Sequence, residues 1–481
     1  MQYIIGLDLG TTCVKALLFD ENGEIISSVS ADDELFTPKP GWAEQNASQW
    51  VELSARVIRE AVSESGIDPG DISAMSISSQ GITVVPVDKD FQPLMIAINW
   101  LDSRATEEIE LIQAARSAEE IYQITGKAMN PAYTLPKILW LKRNEPEIYS
   151  RAYKLLLPHD YLCAHLTGIP VTDHTMAGGT MLYDLKGQKW SDDLLEQFEI
   201  DMDLLPEIRW GGSPVGNLTK KAADLFGLPE STLLVTGGQD QKIAANGANL
   251  KMGSATISLG TCAAIEFMFD HAPYHPTRNL ASFSYLEPGK WVLEACVSTA
   301  GAAIKWARDT LFPDLSFDDM NIAAATCSTS AGVFFYPYLQ GSGTPHNTTA
   351  QGAFTGLTLG TTKAELIRAI FEGIAMEVYS NLCSARDIGV SVSGMCVFGG
   401  GSKSALLCQI LADVTGCAIQ TFSTPEMGAF GAAKLAANAI GIKDFSLPVS
   451  GVWEPDAGSN AKYNELYQLY KENHPAIFSL R

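Results

Sequence analysis

The chain opens on an apolar run, Ile4-Ile5-Gly6-Leu7-Asp8-Leu9, passes through Gly10-Thr11-Thr12, and resumes as Cys13-Val14-Lys15-Ala16-Leu17-Leu18-Phe19. Two such runs around a glycine turn predict buried strands joined as a hairpin. Further β-like runs follow at 74–77 and 84–87, and residues 48–62 repeat apolar positions at helical spacing. Helical patterns dominate from about 105 to 205, punctuated at Asn130-Pro131 and Thr167-Gly168-Ile169-Pro170. Leu233-Leu234-Val235-Thr236-Gly237-Gly238-Gln239-Asp240 reads as a buried strand ending in two glycines and an acid, with a helix pattern after it.

The opening hairpin has a second copy downstream, Ile257-Ser258-Leu259-Gly260-Thr261-Cys262-Ala263-Ala264-Ile265-Glu266. One Gly-Thr turn is an ordinary hairpin; two, each opening half of a chain, predict a duplicated α/β fold. Beyond the second copy come an extended insertion, helical patterns at 365–384 and 403–414, and the strand end Val397-Phe398-Gly399-Gly400-Gly401. The expected organisation is one domain over 1–245, a second over 246–440 and a polar helical tail over 441–481. No low-complexity linker separates the halves, so they are expected to abut across a cleft.

Each turn directs backbone N–H groups and hydroxyls at one point, a concavity that suits a phosphate. Asp8, at the strand end, is placed to hold a metal ion through water. The chain's 481 residues exceed one comfortable core, and 46% hydrophobic with 18% charged residues is ordinary for a soluble globular protein. A net charge of −22 argues against nucleic acid or an anionic membrane as partner. It is no obstacle to a nucleotide, whose site is built locally from backbone dipoles, hydroxyls and a metal. The nine cysteines are scattered with no CxxC pair, which speaks for reduced thiols. The seven histidines do not cluster with acids, so no transition-metal site is assigned. With no signal-peptide pattern and no uncharged run of membrane-span length, a cytoplasmic location is expected.

Several further segments stand in a fixed order: Gly41-Trp42-Ala43-Glu44-Gln45, Trp100-Leu101-Asp102-Ser103-Arg104, Thr134-Leu135-Pro136-Lys137-Ile138-Leu139-Trp140, Leu157-Pro158-His159-Asp160-Tyr161-Leu162, Gly352-Ala353-Phe354-Thr355-Gly356-Leu357 with Glu365-Leu366 behind it, and Gly399-Gly400-Gly401-Ser402. With the two hairpins, this set resembles the FGGY family of carbohydrate kinases, in its xylulokinase-like branch, over nearly the whole length. The resemblance implies the duplicated ribonuclease-H-like fold of the sugar kinase, Hsp70 and actin group, with ATP and Mg²⁺ as cofactors and a small sugar or polyol as substrate.

Carried over residue by residue, the resemblance implies Asp240, just before the second domain, as catalytic base and as a contact of the sugar. The bland alternative for Asp240 is a helix N-cap. Gly10, Thr11, Thr12, Gly260 and Thr261 are expected around the β- and γ-phosphates, with Lys15 as an additional candidate and Asp8 organising Mg²⁺. Gly301, Gly400 and Gly401 are expected along the nucleotide. Gln80, Gly81, Trp100, Asp102 and Arg104 are expected to line the sugar, and residues 426–433 to serve close helix packing. Two departures loosen the tie to D-xylulose: Gly81-Ile82 stand where xylulokinases carry Met-His, and Gly343 replaces an arginine before Thr344-Pro345. Another ketose or a polyol stays open, as do a glycerol or gluconate kinase and a non-catalytic sugar- and ATP-binding regulator. A homodimer is an open expectation. No GxGxxG follows a strand, which disfavours a dinucleotide dehydrogenase.

Overall fold

The computed structural model describes residues 2–277 and 280–478. The first half builds a sheet from β1 (Tyr3–Leu9), β2 (Cys13–Phe19), β3 (Ile25–Asp32), β4 (Ile72–Ser79), β5 (Pro214–Asn217) and β6 (Leu233–Gln239), in the order β5-β6-β4-β1-β2-β3. β1, β2 and β3 run antiparallel as a meander, whereas β1, β4 and β6 run parallel. The parallel centre is covered on both faces, which is why β1 reads as a nearly continuous apolar run.

The second half builds β7 (Ser254–Leu259), β8 (Ala263–Phe269), β9 (Ala281–Ser284), β10 (Trp291–Val297), β11 (Gly394–Phe398), β12 (Ala418–Phe422) and β13 (Val449–Trp453), in the order β9-β10-β8-β7-β11-β12-β13. The series β3-β2-β1-β4-β6 recurs as β10-β8-β7-β11-β12 with the same strand directions. This is the duplication that the paired hairpins predict, in the ribonuclease-H-like arrangement that the family resemblance implies.

Equivalent helices follow equivalent strands. In the first half α1 (Ala47–Ser65) crosses from β3 to β4 and α2 (Asp240–Gly247) follows β6; in the second, α3 (Lys363–Arg386) and α4 (Met427–Ala439) take those places. α1 starts where the Asn46 side chain accepts the Ser48 N–H at 3.1 Å, and stops at Gly66, in the left-handed region at φ 68°. Its inner face buries Trp50, Val57, Ile58 and Ala61 under the sheet. The long insertion between β4 and β6 folds around a core of its own that includes Ile98, Ile112, Leu135, Ile138 and Tyr183.

The halves are joined by backbone-to-backbone packing. A Cβ on Gly431 of α4 would lie 1.9 Å from the Ile243 carbonyl oxygen of α2. α4 also lies under the first sheet, where a Cβ on Gly6 would meet the Ala429 oxygen at 1.9 Å. Residues 426–433 therefore do serve close packing, at Ala429 and Gly431. An apolar cluster of Ile4, Phe19, Val235, Phe398 and Phe430 spans both halves, with Phe19 edge-on to Phe430 at 5.7 Å.

The segment 441–481 is more than a polar tail. It supplies β13 to the second sheet and α5 (Ala457–Phe478), whose Tyr463 and Tyr470 are buried. Their hydroxyls donate to Glu372 at 2.8 Å and Glu377 at 2.6 Å on α3. No described helix is long and apolar enough to cross a membrane.

Candidate active site

Both Gly-Thr turns close as tight hairpins: the Gly10 N–H donates to the Cys13 carbonyl at 3.0 Å, and that of Gly260 to Cys262 at 2.9 Å. Thr12 and Thr261 are exposed at the two tips. Gly301 braces the second turn, its N–H donating to the Gly260 carbonyl at 2.9 Å, and a Cβ there would stand 2.5 Å from that oxygen. Its lack of a side chain is thus accounted for by the turn itself.

Asp8 ends β1 beside the first turn. Ser78 Oγ donates to its Oδ1 at 2.7 Å, and Gly428 at the start of α4 covers it from the other half. Burial pushes the Asp8 carboxyl up, opposed by the Ser78 hydrogen bond and the charge of Lys15. Lys15 itself reaches across to Glu426, Nζ to Oε2 at 2.7 Å, tying the first hairpin to the second half.

Asp240 stands where β6 gives way to α2. The strand end needs glycine on steric grounds: a Cβ on Gly237 would lie 1.7 Å from the Ile77 oxygen, and one on Gly238 2.6 Å from Thr175 Oγ1. Buried polar groups of the insertion fix this backbone. The Gly237 N–H donates to His159 Nε2 at 3.2 Å and the Gln239 N–H to Thr175 Oγ1 at 2.8 Å. The N-cap of α2 is Gln239, whose side chain accepts the Lys242 N–H at 3.4 Å. Asp240 is the first helical residue and accepts from the Gln241 N–H at 2.7 Å and from the Gln239 amide. Burial, then the negative charge of Asp8, push its carboxyl up to about 7.

On the sugar side, the expected residues divide into two groups. Trp100 is 39% exposed, and its indole N–H donates to Thr11 Oγ1 at 2.8 Å, so the Thr11 hydroxyl is turned toward this loop. Gly81 lies against Gln239, with 3.1 Å between a hypothetical Cβ and Gln239 Cγ. Gln80 is buried in a set of amides, donating to Gln45 Oε1 at 2.9 Å and accepting from Asn99 Nδ2 at 3.1 Å.

Asp102 and Arg104, expected as sugar contacts, face inward instead. Asp102 is fully buried, Arg104 Nη2 lies 2.7 Å from Asp102 Oδ2 and 2.7 Å from Glu44 Oε1, and the guanidinium sits 3.5 Å over the Trp42 ring. A carboxylate and a guanidinium two residues apart pair with each other once the loop curls, so they brace the loop that presents Trp100.

Among the glycines expected along a nucleotide, a side chain on Gly400 would meet nothing within 4 Å, which leaves room for a ligand. Gly401 is packed on Leu259, 2.3 Å from a hypothetical Cβ, so its small size serves the fold. At Gly343 a Cβ would lie 2.6 Å from the Cys296 oxygen; β10 fills the space beside it.

Sequence reading missed a buried charged cluster next to Asp240. Lys242 Nζ lies 3.0 Å from Glu266 Oε1 on β8 and closer still to Glu294 Oε2 on β10. Glu266 and Glu294 are direct cross-strand partners. Lys242 and Lys127 both lie over the Phe283 ring, at 3.5 and 3.2 Å, and Lys127 donates to the Ser282 carbonyl. The available signal was a lone charge inside each apolar strand, Ile265-Glu266-Phe267 and Leu293-Glu294-Ala295. Nothing in the sequence pairs either of them with Lys242.

Asp8, Asp240 and Glu294 are linked electrostatically: the charge of Asp8 acts on Asp240, and that of Glu294 acts on both Asp240 and Cys262, the neighbour of Thr261. A duplicated ribonuclease-H-like fold with a Gly-Thr hairpin in each half and a buried carboxylate at a strand end is the architecture of the sugar kinases. The chain belongs to the FGGY family of carbohydrate kinases, residues 3–247 matching its N-terminal domain and residues 248–440 its C-terminal domain. It is 30% identical to the xylulose kinase of Bacillus subtilis, over 98% of this chain and 96% of that one. Its structure is similar to that of a ligand-bound xylulose kinase from Lactobacillus acidophilus, with a TM-score of 0.93 and 30% identity over 100% of this chain and 99% of that one. A gluconate kinase from Lactobacillus acidophilus is similar at the same TM-score of 0.93 and 30% identity, covering 99% and 98% of the two chains. The protein is a carbohydrate kinase.

Proposed function

We propose that the protein transfers the γ-phosphoryl group of ATP to a hydroxyl of a small ketose or polyol, a ketopentose such as D-xylulose being the first reading, with Asp240 as the base. The observation that carries this is the position of Asp240: at the start of α2, held by glycine-dependent packing of β6 and within electrostatic reach of Asp8. The residues present fit MgATP. Gly400 leaves open space, the two turns offer N–H groups and hydroxyls, and Asp8 keeps a carboxylate held by Ser78 beside the first turn. Among the described residues no three His, Cys, Asp or Glu converge on a metal position. That suits Mg²⁺, which is commonly held through one or two carboxylates, water and substrate phosphates.

In this reading Asp8 would hold Mg²⁺, which when bound would supply charge neutralisation at the phosphates. Thr12 and Thr261, with the N–H groups of their turns, orient the donor from opposite halves. Trp100 and Gly81 form a wall and a gap for the sugar, and Asp240 accepts the proton of the attacking hydroxyl. Phosphoryl transfer passes through a loose transition state in which the proton leaves late, so alignment of Asp240 matters more than its basicity. A gluconate kinase is the second reading, favoured by the equal structural similarity noted above. A panel of ketoses, polyols and gluconate, assayed for ADP release with and without Mg²⁺, tests both. Mg²⁺-dependent release with a ketose or polyol is expected; release that no acceptor stimulates would sink the kinase assignment.

A further inference from the structure

The Lys242 cluster is closed at one end and open at the other. Lys242 is 0% exposed, Glu266 3% and Glu294 25%, so the cluster meets the cleft at Glu294. On β10 the half-exposed positions alternate, Glu294 then Cys296, with Ser298 following, which marks the strand face that solvent and a ligand can reach. Glu294 is the carboxylate on that face.

Its orientation is imposed by neighbours. Two carboxylates paired across β8 and β10 repel, and Lys242, inserted from α2, holds both. Lys242 lies two residues beyond Asp240, so Glu294 is tied to the same helix that carries the base. The negative charge of Glu294 also acts on Asp240 and on Tyr133, so Glu294 lies within electrostatic reach of the proposed base.

The cations near this part of the cleft are already engaged. Lys242 serves two carboxylates, Lys127 donates to Ser282, Arg104 is locked to Asp102 and Glu44, and Lys137 donates to the Asn99 carbonyl at 2.7 Å. A substrate carboxylate entering here would find the negative charges of Glu294 and Asp240, and the one side-chain nitrogen among these four with no hydrogen-bond partner, Arg104 Nη1, is buried. Hydroxyls would find a fixed acceptor.

Resting on the kinase reading above, we propose that Glu294, positioned by Lys242, is a specificity-determining residue that accepts hydrogen bonds from hydroxyls of a neutral sugar or polyol and rejects sugar acids. A carboxylate suits this role because each oxygen accepts more than one hydrogen bond and donates none.

The test compares wild type, Glu294→Gln and Glu294→Ala on D-xylulose, on a polyol series and on D-gluconate, reading ADP release and sugar-induced thermal shift. Wild type should favour the neutral acceptor over gluconate by about 100-fold in kcat/KM, the scale on which a mispaired buried polar group discriminates. Glu294→Gln should raise the KM for the neutral sugar by about tenfold, leave the KM for ATP within about twofold, and narrow the preference over gluconate. Gln is nearly isosteric, so it carries the test if the alanine variant fails to fold. An unchanged sugar KM and unchanged preference in a folded Glu294→Gln, with wild type active, would overturn the inference and leave the kinase reading standing. So would gluconate as the preferred acceptor. No ADP release by wild type with any acceptor would overturn both.

Discussion

Gly428 covers the carboxylate of Asp8 with no room to spare: a Cβ on Gly428 would lie 3.0 Å from Cγ, Oδ1 and Oδ2 alike. Asp8 ends the first strand of one half and Gly428 opens a helix of the other, so the carboxylate is shaped by both halves. Gly428→Ala is expected to displace Asp8 by a few tenths of an ångström. Turnover should fall roughly ten- to a hundredfold and the Mg²⁺ requirement should rise, since small misplacements near the chemistry are costly. A Mg²⁺ titration of kcat checks this, and an unaltered curve would remove Asp8 from metal organisation.

Asp240→Asn should keep ATP and sugar binding while turnover drops by roughly two to four powers of ten, the loss expected for a positioned base. The pH dependence carries a sign. Burial and the charge of Asp8 raise Asp240 from 3.8 to about 7, so the folded protein retains a proton that the unfolded chain releases near pH 4. The stability this group contributes is full below about pH 4 and is lost as pH rises to about 7. The free enzyme should therefore gain kcat/KM as pH rises through about 7. Asp240→Asn, which cannot ionise, should melt higher than wild type at pH 8, with the gap closing toward pH 4.5. Thermal melts at the two pH values decide it; a gap of equal size at both would show that the proton is not held.

Thr12 and Thr261 stand exposed at the tips of equivalent turns in the two halves, and both turns are proposed to act on the phosphates of ATP. Thr12→Val and Thr261→Val should each raise the KM for MgATP several-fold while leaving equilibrium sugar binding unchanged. Isothermal titration with sugar alone separates the two effects. Loss of sugar binding in either variant would mean that the turns do not act on phosphates.

Arg104→Ala should behave as a stability mutant. Removing one partner of a buried ion pair leaves Asp102 buried and unpaired, which costs about 3–5 kcal/mol. Trp100→Ala removes an exposed wall and should instead raise the sugar KM with little change in melting temperature. Denaturant unfolding beside sugar kinetics checks both, and a fully stable Arg104→Ala with a raised sugar KM would restore Arg104 as a direct contact.

Much of the architecture was legible along the chain. The two hairpins, the buried Leu233–Gln239 strand and the crossing helices come from local periodicity and turn chemistry, and glycine followed by threonine at both turns announces the duplication. Asp240 stood out through the two glycines before it at a strand end together with the family resemblance, and the helix N-cap, the ordinary use of such an acid, falls to Gln239. What local pattern could not show is where a side chain goes once the halves meet. Asp102 and Arg104 turn inward because they satisfy each other, an outcome decided by loop curvature. Gly401 is small because Leu259 lies against it, and Gly428 because Asp8 does, contacts between residues far apart in sequence. Segment 441–481 was polar by composition yet contributes an edge strand and buried tyrosines, since one buried stripe suffices to dock a helix. The Lys242, Glu266 and Glu294 cluster was invisible for the same reason. Each charge alone is an anomaly in an apolar stretch, and only the packing of α2 against β8 and β10 brings opposite charges together at a distance where burial becomes tolerable.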